Sequence, residues 1–421
     1  MYEMYITSCM SRPRSLDRLL FCLWQLQQKL NFSNTCANSQ WKFRTHWRHL
    51  RTACISPKSS YWSDRCIYTG PLTNQSEGSS TNQSASYTTN QSASSSTNQR
   101  TGPPWRILFF GSDEFSVEVL QKLKADQTRT KSADRVVERL EVVCSPKRVP
   151  VRTYADEHHL PLHDWPLQGS CDQFDVGVVA SFGFLIPKKI IRLFPYGILN
   201  IHPSLLPQWR GASPVFHTIL EGDEVTGVTI IHITPRFDVG PILQQKSVPV
   251  PERCHAIQLG SMLFNKGADM LLECLRDLPR KLENAVEQPT TGVTNAPKLS
   301  VDQSWVRWAE QSCQEIDRLS RSVGQKLPLR STWNNRTVKL MDIIDPAITK
   351  GLAIPVADPK PGSAHYHRPT NSVCIRCKDG WVGFRSILLK KKLTAHEFYN
   401  GYLSRDHLKD KLFESCSSKT S

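Results

Sequence analysis

The chain has 421 residues, room for two or three domains, with 39% apolar residues and a formal charge of +15 at pH 7. Its 13 cysteines are scattered without a framework, which excludes a disulfide-built secreted scaffold and fits a reducing compartment. Residues 1–100 carry 11 Lys+Arg against 4 Asp+Glu and the remainder 42 against 34, so the basic excess runs along the whole chain; it points either to a polyanionic partner, most simply nucleic acid, or to a solubilising surface.

Residues 1–72 set arginines among bulky apolar residues and are poor in acids. The densest apolar run, LLFCLWQL at 19–26, is far short of the roughly 20 residues that cross a bilayer, and no small-residue cleavage site follows it. The segment reads as a mitochondrial targeting leader, which would place the protein in the matrix, with no membrane partner. Residues 73–104 then repeat an octapeptide from Thr73, Thr81, Thr89 and Thr97. Such Ser/Thr/Asn/Gln sequence buries too little apolar surface to offset chain entropy and is expected to be a disordered linker.

From Trp105 the grammar is α/β. WRILFFGS reads as a strand ending in a glycine turn, and EFSVEVLQKLK as the helix after it. LEVVCS (140–145), FDVGVVAS (174–181), YGILNIH (196–202), VTGVTIIHIT (225–234) and PILQQKSVPV (241–250) read as further strands. LIPKKIIRLF, SPVFHTILEG and a long amphipathic stretch over 256–282 read as helices. This alternation over 105–290 predicts an open, mostly parallel sheet, whose ligands sit beyond the carboxyl ends of its strands. After Pro297 the pattern changes. One helix, QEIDRLSRSV, precedes STWNNRTVKLMDII with an Asn-Asn turn and SVCIRCKDGWVGFRSILL with an Asp-Gly turn. Residues 298–403 are therefore expected to form a small β-barrel, with 404–421 as a tail. Lys390, Lys391 and Lys392 are expected to end its last strand, as a solvated face or a nucleic-acid surface. The one close cysteine pair, Cys374 and Cys377, lacks the second ligand pair of a zinc site, and its odd spacing puts the thiols on opposite faces of a strand; no metal is expected.

The chemistry concentrates in NIHPSLLPQWRGASPVF (200–216). Asn200 and His202, two apart on a strand, point to the same side. An amide N–H can hold an oxygen that gains negative charge, and an imidazole can exchange a proton near neutral pH. Leu205 and Leu206, held by the flanking prolines, could line a slot for a flat ring. Asp238, in the loop of ITPRFDVGPI, could return to His202 as an orienting carboxylate. The trio by itself indicates acyl-type transfer in a strand-end cleft.

NIHPSLLPQWRGASPV followed by GVTIIHITPRFDVGPIL resembles the signature of the folate-dependent formyltransferases, and RILFFGSDEF, VVASFGFLIP, RWAEQSCQEIDRLSRSV and KKKLTAHEFYNGY extend the likeness over about 105–403. The resemblance implies a Rossmann-like formyltransferase fold followed by an OB-like barrel. It implies formyl transfer from 10-formyltetrahydrofolate to the α-amine of initiator methionyl-tRNA, catalysed by Asn200, His202 and Asp238 without a metal. Ser204, Leu205, Leu206 and Pro207 match the family's folate-contacting segment. Lys147, Arg148 and Arg210, with Lys390, Lys391 and Lys392, are the tRNA-contact candidates. Bacterial members carry a longer basic insertion after the second strand, and here VVCSPKRVPVRTY passes straight through. A monomer is expected. A small-molecule formyltransferase or 10-formyltetrahydrofolate hydrolase, and a non-catalytic RNA-binding protein, are the alternatives. The basic barrel weighs against the first and the intact trio against the second.

Overall fold

The computed structural model describes residues 100–130, 134–405 and 412–415. The expected targeting leader, nearly all of the octapeptide repeat and most of the expected tail lie outside these residues.

The first sheet comprises β1 (Trp105–Gly111), β2 (Val137–Cys144), β3 (Leu162–Asp164), β4 (Val176–Ala180), β5 (Ile198–His202), β6 (Val225–His232) and β7 (Ile242–Pro249). Their order is β3-β2-β1-β4-β5-β6-β7. The five strands from β3 to β5 run parallel, while β6 is antiparallel to β5 and β7 to β6. The sheet is thus the mostly parallel, Rossmann-like one, with an antiparallel edge. β1 is buried on both faces. Ile107 and Phe109 join one apolar cluster and Leu108 and Phe110 another, as a continuous apolar run requires.

Helix α1 (Glu114–Gln127) is capped by Asp113, whose carboxylate accepts the Phe115 and Ser116 N–H groups. α2 (Pro150–Glu157), the short α3 (Lys188–Ile191) and α4 (Pro214–Glu221) follow. The amphipathic stretch ends earlier than its periodicity predicts. α5 (Ala256–Arg276) stops at Asp277, and Pro279 sits in the first turn of a separate α6 (Leu278–Glu283). Proline cannot donate the backbone bond that would carry one helix through.

The second domain opens with α7 (Cys313–Val323), whose Ser312 and Glu315 form a reciprocal capping box. An antiparallel sheet follows, of β8 (Leu329–Trp333), β9 (Arg336–Ile343), β10 (Ala364–His367), β11 (Ser372–Arg376), β12 (Trp381–Leu388), β13 (Lys392–Thr394) and β14 (Phe413–Glu414), with the short α8 (Pro346–Lys350) and α9 (Ala395–Phe398) between strands. The path is β10-β11-β12-β9-β8-β14, with β13 on β12, and a bridge between Ser363 and Leu412 draws its ends together into a small barrel. Asn334 and Asn335 both have positive φ, as the two-residue turn between β8 and β9 demands. α7 is the main bridge to the first domain. Its buried Asp317 takes Arg253 and Arg321, and its Ser322 Oγ donates to the Phe216 carbonyl in α4.

Candidate active site

The carboxyl ends of β1, β4 and β5 open into a cavity of about 730 Å³, within the size range of small-ligand sites. Its walls are Ser112–Asp113, the Ser181–Ile186 loop, Asn200–Pro203, Gly211–Phe216 and the Ile233–Asp238 loop, with Lys298 and Lys326 at the second-domain side. Phe184 and Leu185 are exposed beside it, and Phe237 is 64% exposed. Arg236, Lys298 and Lys326 bring three cations to the rim. Asp113 faces in from the start of α1. Its burial raises its carboxyl above the ordinary value, against the Ser181 hydroxyl and Ser116 N–H bonds that favour the anion.

β5 sets Asn200 and His202 on one face while Ile201 enters the core behind them. His202 is nearly fully buried, and its Nε2 lies 2.9 Å from the Trp209 carbonyl. A carbonyl only accepts, so Nε2 carries the hydrogen, and in the neutral tautomer this leaves the lone pair at Nδ1. That nitrogen is 3.6 Å from Asp238 Oδ1. The same carboxylate oxygen is 3.5 Å from Asn200 Nδ2, and Oδ2 accepts the Gly211 N–H at 2.8 Å. The three side chains therefore meet around Asp238 Oδ1. The ring itself is fixed by the Trp209 backbone, a role expected of Asp238.

The reach of Asp238 depends on its loop. β6 runs antiparallel to β5, so its end lies beside Leu199 and the loop must fold back. Asp238 takes φ +51°, a left-handed conformation that Asp tolerates better than most residues. Gln288 anchors it, its Nε2 donating to the Asp238 and Gly240 carbonyls at 2.9 and 2.8 Å. Arg210 in turn donates from Nε and Nη2 to Gln288 Oε1 at 3.0 and 2.7 Å. Gly211 is required where it stands: its φ is +123°, and a Cβ would fall 2.7 Å from the Ala296 carbonyl oxygen.

Ser204, Leu205, Leu206 and Pro207 do not line the cavity. Ser204 Oγ donates to Gln208 O, the Leu206 N–H donates to Thr229 Oγ1, and Leu205 lies against Gly227, where a Cβ would meet its side chain at 2.4 Å. The run braces the exit of β5 against β6. Trp209 stacks on His217 and donates from Nε1 to Asp223. Lys147 and Arg148 are exposed in the loop after β2, and Lys390 and Lys391 after β12, while Lys392 pairs with Asp342 at 3.0 Å. Sequence reasoning missed the Phe182–Ile186 wall, which is quoted in VVASFGFLIP as part of a likeness, and Gln288, which carries no motif at all.

Two family models match: "Formyl transferase" over residues 105–275 and "Formyl transferase, C-terminal domain" over 298–403. The chain is 48% identical over 316 residues to "Methionyl-tRNA formyltransferase, mitochondrial" of Mus musculus, covering 72% of this chain and 80% of that protein. The same identity holds over 316 residues with the Homo sapiens protein of that name, covering 72% and 79%. It is 31% identical over 322 residues to "Methionyl-tRNA formyltransferase" of Roseobacter denitrificans, covering 72% and 97%.

Proposed function

Because the chain belongs to the methionyl-tRNA formyltransferases, we propose that it formylates the free α-amine of methionyl-tRNA, with 10-formyltetrahydrofolate as donor, for initiation of translation in mitochondria. The observation that carries this reading is the meeting of Asn200, His202 and Asp238 at the wall of the cavity. The amine nitrogen attacks the formyl carbon and a tetrahedral oxyanion forms. The bond from that carbon to the folate nitrogen then breaks, the attacking amine gives up a proton, and the folate nitrogen gains one. Asn200 Nδ2 is the oxyanion donor, a role worth about 10²–10³ in rate. His202 takes the amine proton at Nδ1, because Nε2 is held by Trp209. The resulting imidazolium donates from both nitrogens, to the Trp209 carbonyl and to Asp238, and then gives its Nδ1 proton to the departing folate nitrogen. Such acid–base assistance supplies roughly 10²–10⁴.

The donor's flat ring is assigned to the apolar wall of Phe182, Phe184 and Ile186 rather than to Ser204–Pro207. The rim cations Arg236, Lys298 and Lys326 face the anionic parts of either substrate. Of the tRNA-contact candidates, Lys147, Arg148, Lys390 and Lys391 are exposed and are assigned to the tRNA backbone, whereas Arg210 spends two of its donors on Gln288. The test is direct. Purified protein with charged methionyl-tRNA and 10-formyltetrahydrofolate should yield N-formylmethionyl-tRNA. Release of free formate without it, or formylation of a small amine in preference to the charged tRNA, would overturn the assignment.

A further inference from the structure

Outside the cavity lining, the second domain brings Cys313 against Cys377 and Asp379, a pair more than sixty positions on. Cys313 opens α7, Cys377 follows β11, and Asp379 lies in the turn to β12. One ligand atom from each lies within 4.8 Å of the others. Cys313 Sγ is 3.3 Å from Cys377 Sγ, and Cys377 Sγ is 3.5 Å from Asp379 Oδ1. The Gly380 and Trp381 carbonyl oxygens stand 3.4 and 3.6 Å from the two sulfurs. Two S–H protons thus face a surplus of acceptor atoms.

Backbone bonds of the turn fix the positions of these atoms. The Cys377 N–H donates to the Gly380 carbonyl at 2.8 Å, closing the two-residue turn. The Cys313 N–H donates to Asp379 Oδ1 at 2.8 Å and fixes the carboxylate beside the sulfurs. A Cβ at Gly380 would fall 2.8 Å from Cys313 Sγ, so glycine leaves the space the thiol uses. Cys377 is buried, Cys313 half-buried and Asp379 exposed, so one side of the cluster is open to solvent.

We propose that Cys313, Cys377 and Asp379 form a binding site for a thiophilic divalent cation of zinc's class, with solvent at the fourth position. Two thiolates and a carboxylate are a ligand set that zinc accepts. In a tetrahedral site with metal–sulfur bonds of about 2.3 Å and metal–oxygen bonds of about 2.0 Å, a sulfur and an oxygen lie about 3.5 Å apart. The observed Cys377–Asp379 separation is that distance. Two sulfurs on such an ion lie about 3.7 Å apart, so the thiols need open by only about 0.4 Å. Binding releases both thiol protons and ties the first turn of α7 to the β11–β12 hairpin. Cys374, on the opposite face of β11 beside Ser372, takes no part.

The full-length protein is reduced, stripped with a chelator and titrated with zinc alone against a chromophoric competitor. Cobalt replacing zinc reads the ligand type through its thiolate charge-transfer band. One equivalent should bind with that band. Cys313→Ser or Cys377→Ser should weaken this equivalent more than ~100-fold and remove the band, and Asp379→Asn should weaken it at least ~10-fold while the band persists. Cys374→Ser in the same hairpin should bind as the parent does, which separates ligation from damage to the fold. The proposal is overturned if the Cys313→Ser/Cys377→Ser double variant keeps the same stoichiometry and affinity. It is also overturned if the reduced parent binds no zinc and instead recovers Cys313 and Cys377 as a disulfide on exposure to a small-molecule disulfide.

Discussion

His202 has its two ring nitrogens in unlike settings, and this gives the site its direction. Nε2 is tied to a backbone carbonyl that cannot move without the Trp209 turn, while Nδ1 faces a carboxylate across 3.6 Å. On the proposed mechanism, removing the ring removes the proton acceptor, and removing the Asn200 amide removes the oxyanion donor together with its contact to Asp238. His202→Ala and Asn200→Ala should each lower kcat by at least ~100-fold while the KM for methionyl-tRNA changes little. Single-turnover assays at saturating tRNA check this; near-normal turnover in both variants would remove the two groups from the chemistry. The pairing of Asn200 with His202 was legible because strand residues two apart share a face. The return of Asp238 was legible as a carboxylate in the loop after the next strand, but its route was not, since that loop starts at the far end of β5. The Trp209 carbonyl and Gln288 were not legible: a backbone acceptor leaves no trace in sequence, and Gln288 lies 50 positions from Asp238.

At the scale of elements, α7 matters because it carries both the interdomain Asp317–Arg253 ion pair and the first thiol of the proposed metal site. Its start depends on a capping box. Ser312 Oγ accepts the Glu315 N–H at 3.2 Å, and the Glu315 carboxylate accepts the Ser312 N–H at 2.7 Å. Ser312→Ala should lower stability by about 1 kcal/mol in denaturant unfolding. The backbone N–H of Ser312 holds the Glu315 pKa below the ordinary carboxylate value. A depressed folded-state pKa means its contribution is fully present above the unfolded value and is lost as pH falls through the folded one. Glu315→Gln should therefore flatten the acid limb of the stability curve below about pH 4, and an unchanged limb would show that the box adds nothing. The capping residues and turn residues were readable because their chemistry is local. The end of α5 was misread because its apolar period continues through Leu278 and Leu282, although Pro279 interrupts the backbone bonding. The direction of β6 was unreadable for a different reason: an apolar strand looks the same whichever way its neighbour runs.

On the scale of the whole molecule, the charge pattern and the two domains answer one requirement, the capture of a long polyanion whose reactive end must enter a small cavity. The loop after β2 offers only Lys147 and Arg148 as exposed cations, and the proposed grip is shared with the barrel. There the three lysines are not equivalent. Lys392 is already paired with Asp342, whereas Lys390 and Lys391 project from the turn between β12 and β13. Each phosphate contact releases counterions and steepens the salt dependence of binding by about one unit of the log–log slope. A Lys390→Gln/Lys391→Gln variant should therefore raise the KM for methionyl-tRNA and reduce that slope by about one to two, with kcat at saturating tRNA unchanged. Lys392→Gln should move the slope less, because its charge is already offset. Measuring KM across a salt series for the three proteins separates a general loss of positive charge from loss of specific contacts. A parental slope in the double variant would place the tRNA on another face of the barrel.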